Sequence, residues 1–88
     1  MTVKSLGCWY DAKGDRAIPD SHGDLGVRGC YEIANDLNYS IFGVSGGLHC
    51  YTSSTAGSTY QKYGRQAKGG LCYKGNIEVY QIKSIGKL

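Results

Sequence analysis

Apolar positions along the chain fall into short alternating runs separated by glycine-rich turns, and one segment changes period. Leu6 and Cys8 alternate with Gly7 and Trp9, so residues 6–10 read as a strand, and Asp11-Ala12-Lys13-Gly14 supplies the turn that ends it. An irregular stretch with Gly23, Gly26 and Gly29 follows. Cys30, Ile33, Ala34 and Leu37 then recur at i, i+3, i+4 and i+7, which predicts an amphipathic helix. It should begin between Asp24 and Gly29, with Asp24 available as a cap, and end near Asn38. Ile41–Ser45 and Leu48–Thr52 flank Gly46-Gly47, the mark of a two-residue β-hairpin in which Ser45 faces Leu48 and Gly43 faces Cys50. Gly43 would then leave room beside Cys50 for a bridge or a close helix. Ile77-Glu78-Val79-Tyr80 alternates again as a closing strand, extended by Ile82. Residues 53–70 hold no aliphatic side chain larger than alanine, and a structureless loop of that length is usually functional or disordered.

Length changes this picture first. The 88 residues make one domain, 1–88. A domain this small buries only about 60–65% of its unfolded surface, and 14 glycines add entropic cost. Cross-links are the expected remedy. Cys8, Cys30, Cys50 and Cys72 stand at intervals of 22, 20 and 22 residues, with no C-x-x-C pair and with His22 and His49 far apart. That pattern fits neither a zinc site nor a thioredoxin-type redox pair. It reads as two disulfides and an oxidising compartment, hence a secreted or extracellular protein. Three connectivities are open. The simplest closure joins the helix cysteine to the hairpin cysteine, Cys30–Cys50, and leaves Cys8 with Cys72. Domain-like sequence follows directly on Met1-Thr2-Val3-Lys4, as in a chain whose targeting segment has been removed. Asn38-Tyr39-Ser40 fits the N-glycosylation sequon and makes Asn38 a glycosylation candidate.

Charge is unevenly placed. Residues 1–36 carry a net −2 and residues 61–88 a net +5, giving +3 for the chain. The basic half (Lys62, Arg65, Lys68, Lys74, Lys83, Lys87) would attract an anionic ligand. These residues are spread out and no RRM, KH or zinc-finger signature accompanies them, so nucleic acid is not an expected partner. No apolar run approaches the ~18–20 residues of a membrane helix, so no membrane insertion is expected. A cationic host-defence role would draw on the same basic residues, but the predicted helix is acidic, with Glu32 and Asp36. No G-x-S-x-G, H-E-x-x-H or free cysteine with histidine points to catalysis, so no enzyme is expected. Asp11, Asp15, Asp20 and Asp24 lack EF-hand order, and no metal or cofactor is expected.

Several motifs, taken in order, resemble WSC domains. Leu6-Gly7-Cys8-Trp9-Tyr10-Asp11 resembles their "GC-aromatic-x-D" opening, and Asp15-Arg16-Ala17-Ile18 their "(N/D)-R-A-L" element. Cys30 opening a helix, then Tyr39, Phe42-Gly43 and Gly47-Leu48-His49-Cys50, is similar to their helix and hairpin. Cys72, Gly75 and Val79-Tyr80 look like their terminal strand. The likeness covers residues 6–80. It implies an α+β fold, a small disulfide-stapled twisted antiparallel sheet with one helix packed across it, similar to PAN/apple domains. It also implies carbohydrate binding at cell walls and surfaces. The family usually has further cysteines in C-x-x-x-C and C-x-C patterns, where this chain has Ala34 and Thr52. Loss of one bridge between helix and strand would remove both together, which keeps Cys30 with Cys50.

A sugar site needs flat apolar surface for C–H faces and polar groups for hydroxyls, and tyrosine supplies both. Tyr60, Lys62, Tyr63 and Arg65 lie within six residues of the polar loop, and the basic members suit an acidic or sulfated sugar. Trp9 is a stacking candidate if it faces outward, and Arg16 could reach a ligand, although an internal Asp15–Arg16 ion pair is the expected role for the latter. His49 is expected as a hydrogen-bonded group rather than a ligand. The expectation is a lectin for glycans, acidic ones included, whose sites a homodimer would pair for avidity. The competing expectation is an extracellular protein-interaction or matrix module.

Overall fold

In a computed structural model the chain is described over residues 2–66, 72 and 75–83. Five strands, β1 (Val3–Trp9), β2 (Asp20–Asp24), β3 (Ile41–Ser45), β4 (His49–Thr52) and β5 (Ile77–Ile82), form one antiparallel sheet in the order β1-β5-β3-β4-β2. Helix α1 (Gly26–Asp36) packs on one face, and a single turn, α2 (Ala56–Thr59), lies on the other.

Both faces of β3 are covered, so four successive residues, Ile41, Phe42, Gly43 and Val44, are buried. Phe42 and Val44 meet Cys30 and Ala34 of α1 and Cys50 of β4. Ile41 joins Ile18, Tyr51, Ala56, Ile77 and Val79 on the opposite side, with Leu6, Trp9 and Tyr60 packed at its margin. Glycine is required at Gly43: a Cβ there would stand 2.3 Å from Ile77 Cδ1 and 3.2 Å from Ile18 Cδ1. Its lack of a side chain therefore serves the layer away from the helix, not the room beside Cys50 that the pattern predicts.

The helix is real but rotated relative to its predicted stripe. Val27, Cys30, Tyr31 and Ala34 face the sheet, again at i, i+3, i+4 and i+7. Leu37 lies beyond the last turn and is 46% exposed. The helix starts at Gly26, inside the expected window, and Val27 and Tyr31 complete the stripe in place of Ile33 and Leu37. Leu25 occupies the N-cap with no side-chain hydrogen bond, and Asp24 belongs to β2 instead. At the other end Asn38 takes φ 64°, and the Tyr39 and Asn38 N–H groups donate to Ala34 O and Asn35 O. This is a left-handed stop of the Schellman kind, with asparagine tolerating the positive φ.

Two further expectations change. The hairpin loop has three residues, because Ser45 pairs with His49 and Val44 with Cys50. Gly46 and Gly47 adopt φ 63° and 72°, which leaves Leu48 in the loop, 50% exposed, and puts Gly43 opposite Tyr51. Within the 53–70 segment, residues 53–66 are structured: α2 seats Ala56 in the core, and successive turns carry the chain back to β1, where Gln66 N–H donates to Cys8 O. Residues 67–70 of that segment, with Lys68, and also Lys74 and Lys87, lie outside the described residues. β2 carries no apolar alternation and forms through its pairing with β4. It is an edge strand whose terminal Asp20 and Asp24 oppose further strand addition.

The disulfides are Cys30–Cys50, fastening α1 to β4, and Cys8–Cys72, tying β1 to the segment that enters β5. No described cysteine is free. Two disulfides in so small a domain are consistent with an extracellular protein. No described helix is long and apolar enough to cross a membrane.

Candidate functional site

Residues 9–19 and 53–66 cover the sheet face opposite α1, and all six predicted binding residues lie there. They form three neighbouring groups. In the first, Trp9 and Tyr60 stand edge to face, with ring centroids 5.0 Å apart and planes at 86°. Both are half-buried against the core, so two apolar surfaces meet at a right-angled corner. The Trp9 indole N–H donates to Leu6 O at 3.0 Å, which fixes the ring and removes that donor from ligand chemistry. The exposed Arg65 guanidinium lies 5.8 Å from the Trp9 ring. It rests over Gly7, where a Cβ would come within 2.8 Å of Arg65 Nη2.

In the second group the Asp15 carboxylate accepts from Lys62 Nζ at 2.9 Å and from the Tyr63 hydroxyl at 3.0 Å, and the same hydroxyl reaches Asp15 O. This strap ties the loop to the 11–19 segment. The hydrogen bond from Lys62, followed by that from Tyr63, holds the Asp15 carboxyl below the usual carboxylate range. The same bond to Asp15 is the main cause that pushes Lys62 up. Desolvation, then the bond to Asp15, pushes the Tyr63 hydroxyl up. A lowered carboxylate stabilises the fold above its unfolded value of about 3.9 and loses that contribution as pH falls through the lower folded value. The raised lysine contributes below about 10.4 and loses its contribution as pH rises through the raised folded value. The strap is therefore expected to hold between about pH 4 and pH 10. In an NMR titration the Asp15 midpoint should fall below that of a free aspartate and return upward in Lys62→Ala. An unchanged midpoint in that variant would rule the strap out.

In the third group Arg16 does not pair with Asp15. Arg16 Nη1 donates to Asp11 Oδ2 at 2.7 Å, and its Cζ sits 4.8 Å from the centre of the Tyr51 ring. Asp11 Oδ1 also accepts the N–H groups of Ala12 and Ala17. Arg16 can reach across to Asp11 because the turn between them closes through Asp15 N–H to Ala12 O. Gly14, Arg16 and Pro19 line a shallow open depression here.

Sequence reasoning passed over two arrangements. Asp11, read as turn chemistry, is the buried hub of the third group. Across β2 and β4, Ser21 Oγ lies 2.6 Å from His49 Nε2, and His49 Nδ1 lies 3.0 Å from Asp24 Oδ1. His22 Nε2 and Thr52 Oγ1 are also 2.6 Å apart. Only the pairing of the two strands brings these residues together. Among the described residues no group of three or more His, Cys, Asp or Glu side chains could hold a metal ion. Asn38 is exposed at the end of α1.

No family model matches the chain, and no curated protein matches it.

Proposed function

We propose that this is a secreted carbohydrate-binding protein, a divergent WSC-like domain that holds glycans, acidic ones included, on the sheet face opposite α1. The observation that carries this reading is the corner formed by Trp9 and Tyr60 with the Arg65 guanidinium beside it. Perpendicular rings offer apolar walls to a pyranose C–H face. A planar guanidinium with no ion pair among the described residues offers a fork to a carboxylate or sulfate. Tyr63, Lys62 and Arg16 lie on the same face, each engaged with an aspartate. The WSC-like reading draws further support from Ala34 and Thr52, which stand where that family carries cysteines and are both buried.

A glycan array that includes neutral, uronic and sulfated sugars tests the proposal. Binding competed by free sugar is expected, with affinity reduced about tenfold, or about 1.4 kcal/mol, in Tyr60→Ala. A smaller loss is expected in Tyr63→Ala, whose hydroxyl is committed to Asp15. A flat response across the array would remove the reading. The protein-interaction alternative rests on Leu25 and Leu48, 42% and 50% exposed and joined through the Gly26 N–H to Leu48 O bond. It predicts that an apolar partner surface, not sugar, competes for the molecule.

A further inference from the structure

We propose that Ser21 is a base-activated nucleophile that takes an acyl group from unhindered carboxylic esters, with His49 as its general base and Asp24 as the residue that positions the imidazole. The inference starts from a constraint on protons. A carboxylate can only accept, so His49 Nδ1, 3.0 Å from Asp24 Oδ1, carries the ring hydrogen. In the neutral ring Nε2 then holds the lone pair, and Ser21, 2.6 Å away, donates its hydroxyl proton to it. Nucleophile, base and orienting acid are thus linked through the nitrogens in the order that acyl transfer needs, which is a matter of geometry and not of sequence order.

The supporting frame is the β2–β4 pairing, whose register shifts between Ser21 and Gly23. His49 and Asp24 are cross-strand partners in the β2–β4 register, and Ser21 is paired with Tyr51, two residues along from His49 on the same face. The His49 ring leans on the Tyr51 ring at 4.9 Å, and the Arg16 guanidinium packs on that same tyrosine at 4.8 Å. Among the described residues, Asp24 and Tyr51 are the titratable groups in contact with the imidazole, with Arg16 beyond Tyr51. Pro19, on the rim of the Arg16 depression, leads into β2 two residues ahead of Ser21. Ser21 is exposed, and His49 and Asp24 are 36% and 63% exposed at their side chains, so an ester can approach without a fitted pocket. The same openness confines the gain to general-base assistance, about 10²–10⁴-fold at most.

In the step itself Ser21 Oγ adds to the ester carbonyl while its proton moves to His49 Nε2. The tetrahedral adduct collapses, the bond to the alcohol oxygen breaks, and the imidazolium returns the proton to that oxygen. The products are acyl-Ser21 and an alcohol. Water, deprotonated by the same imidazole, then releases the carboxylic acid and restores the hydroxyl.

The test uses the full chain with a fluorophosphonate probe, where a P–O bond to Ser21 forms and fluoride leaves, and with p-nitrophenyl acetate. Peptide mass spectrometry reads the adducts, and the exposed Ser54 and Ser58 serve as internal controls. Ser21 is expected to label at least tenfold faster than either, with a rate that rises with pH as general-base assistance requires. His49→Gln should reduce Ser21 to the control rate, and Asp24→Asn should slow it at least threefold, with circular dichroism confirming that both variants fold. Equal labelling of the three serines in the parent protein, or a Ser21 rate that His49→Gln leaves unchanged, overturns the proposal. The parent's pH profile decides the matter if a variant fails to fold: a flat profile overturns it too.

Discussion

Reduction of both disulfides is expected to abolish cooperative folding at 37 °C. The bridges close segments of 64 and 20 residues. By loop-closure entropy these are worth about 4 and about 3 kcal/mol. An 88-residue domain has a net stability of only about 4–13 kcal/mol, so their joint loss removes most or all of it. The fold offers little to replace them. The sheet is covered on both faces by thin layers, and α1 contributes only Cys30 and Ala34 as fully buried side chains. The two bridges also differ. Cys30 and Cys50 are 0% exposed, so Cys30→Ala/Cys50→Ala leaves a void in addition to freeing a loop. Cys8 is only half-buried, so Cys8→Ala/Cys72→Ala acts mainly through the unfolded chain. Thermal melts with and without reductant, alongside both double variants, measure each contribution. A sharp transition at an unchanged temperature in excess reductant would show that the sheet stands without its staples.

The fold was legible where burial imposes a period. Residues 6–9, 41–45 and 77–82 alternate or run apolar because their strands contact the core, and the helix stripe follows from the same cause. β2 was not legible, since Asp20-Ser21-His22-Gly23-Asp24 gains its conformation from backbone pairing with β4. The phase of α1 is not legible because a stripe ending on Leu37 and one beginning on Val27 both satisfy the spacing. The start at Gly26 decides between them, and no capping side chain announces that start. A pair of glycines between two strands likewise fits a two-residue or a three-residue loop.

The site was legible as residue types and not as partnerships. Tyr60, Lys62, Tyr63 and Arg65 stand out because a long segment without aliphatic residues has to be anchored by something. Which charge meets which is decided across 47 residues for Lys62 and Asp15, and across 28 for Ser21 and His49. Adjacency in sequence pointed to Asp15 with Arg16. The backbone turn instead sends these two side chains to different partners, and it leaves Arg65 as the cation held against an aromatic ring without a carboxylate among the described residues.

Asp11→Ala is expected to cost about 3 kcal/mol, near the lower end for breaking a buried ion pair. The Asp11 side chain is 0% exposed, while Arg16 keeps 23% of its side-chain surface in contact with water, which softens the loss. Three donors lose their acceptor at once: Arg16 Nη1, Ala12 N–H and Ala17 N–H. Ala17 is buried, so its N–H has no water to turn to. The damage then spreads, because Ala17 leads into Ile18, the fully buried residue that fills the space above Gly43. Asp11→Asn should cost less, since it keeps an oxygen for the backbone donors, but its amide NH2 replaces the oxygen that accepts from Arg16 Nη1. Arg16→Met placed on the Asp11→Ala background should recover part of the loss by removing the stranded guanidinium, and chemical denaturation of the four proteins in the cycle measures that coupling. Additive effects, or a loss below about 1 kcal/mol in Asp11→Ala, would mean that the 11–19 segment is held by its apolar residues alone.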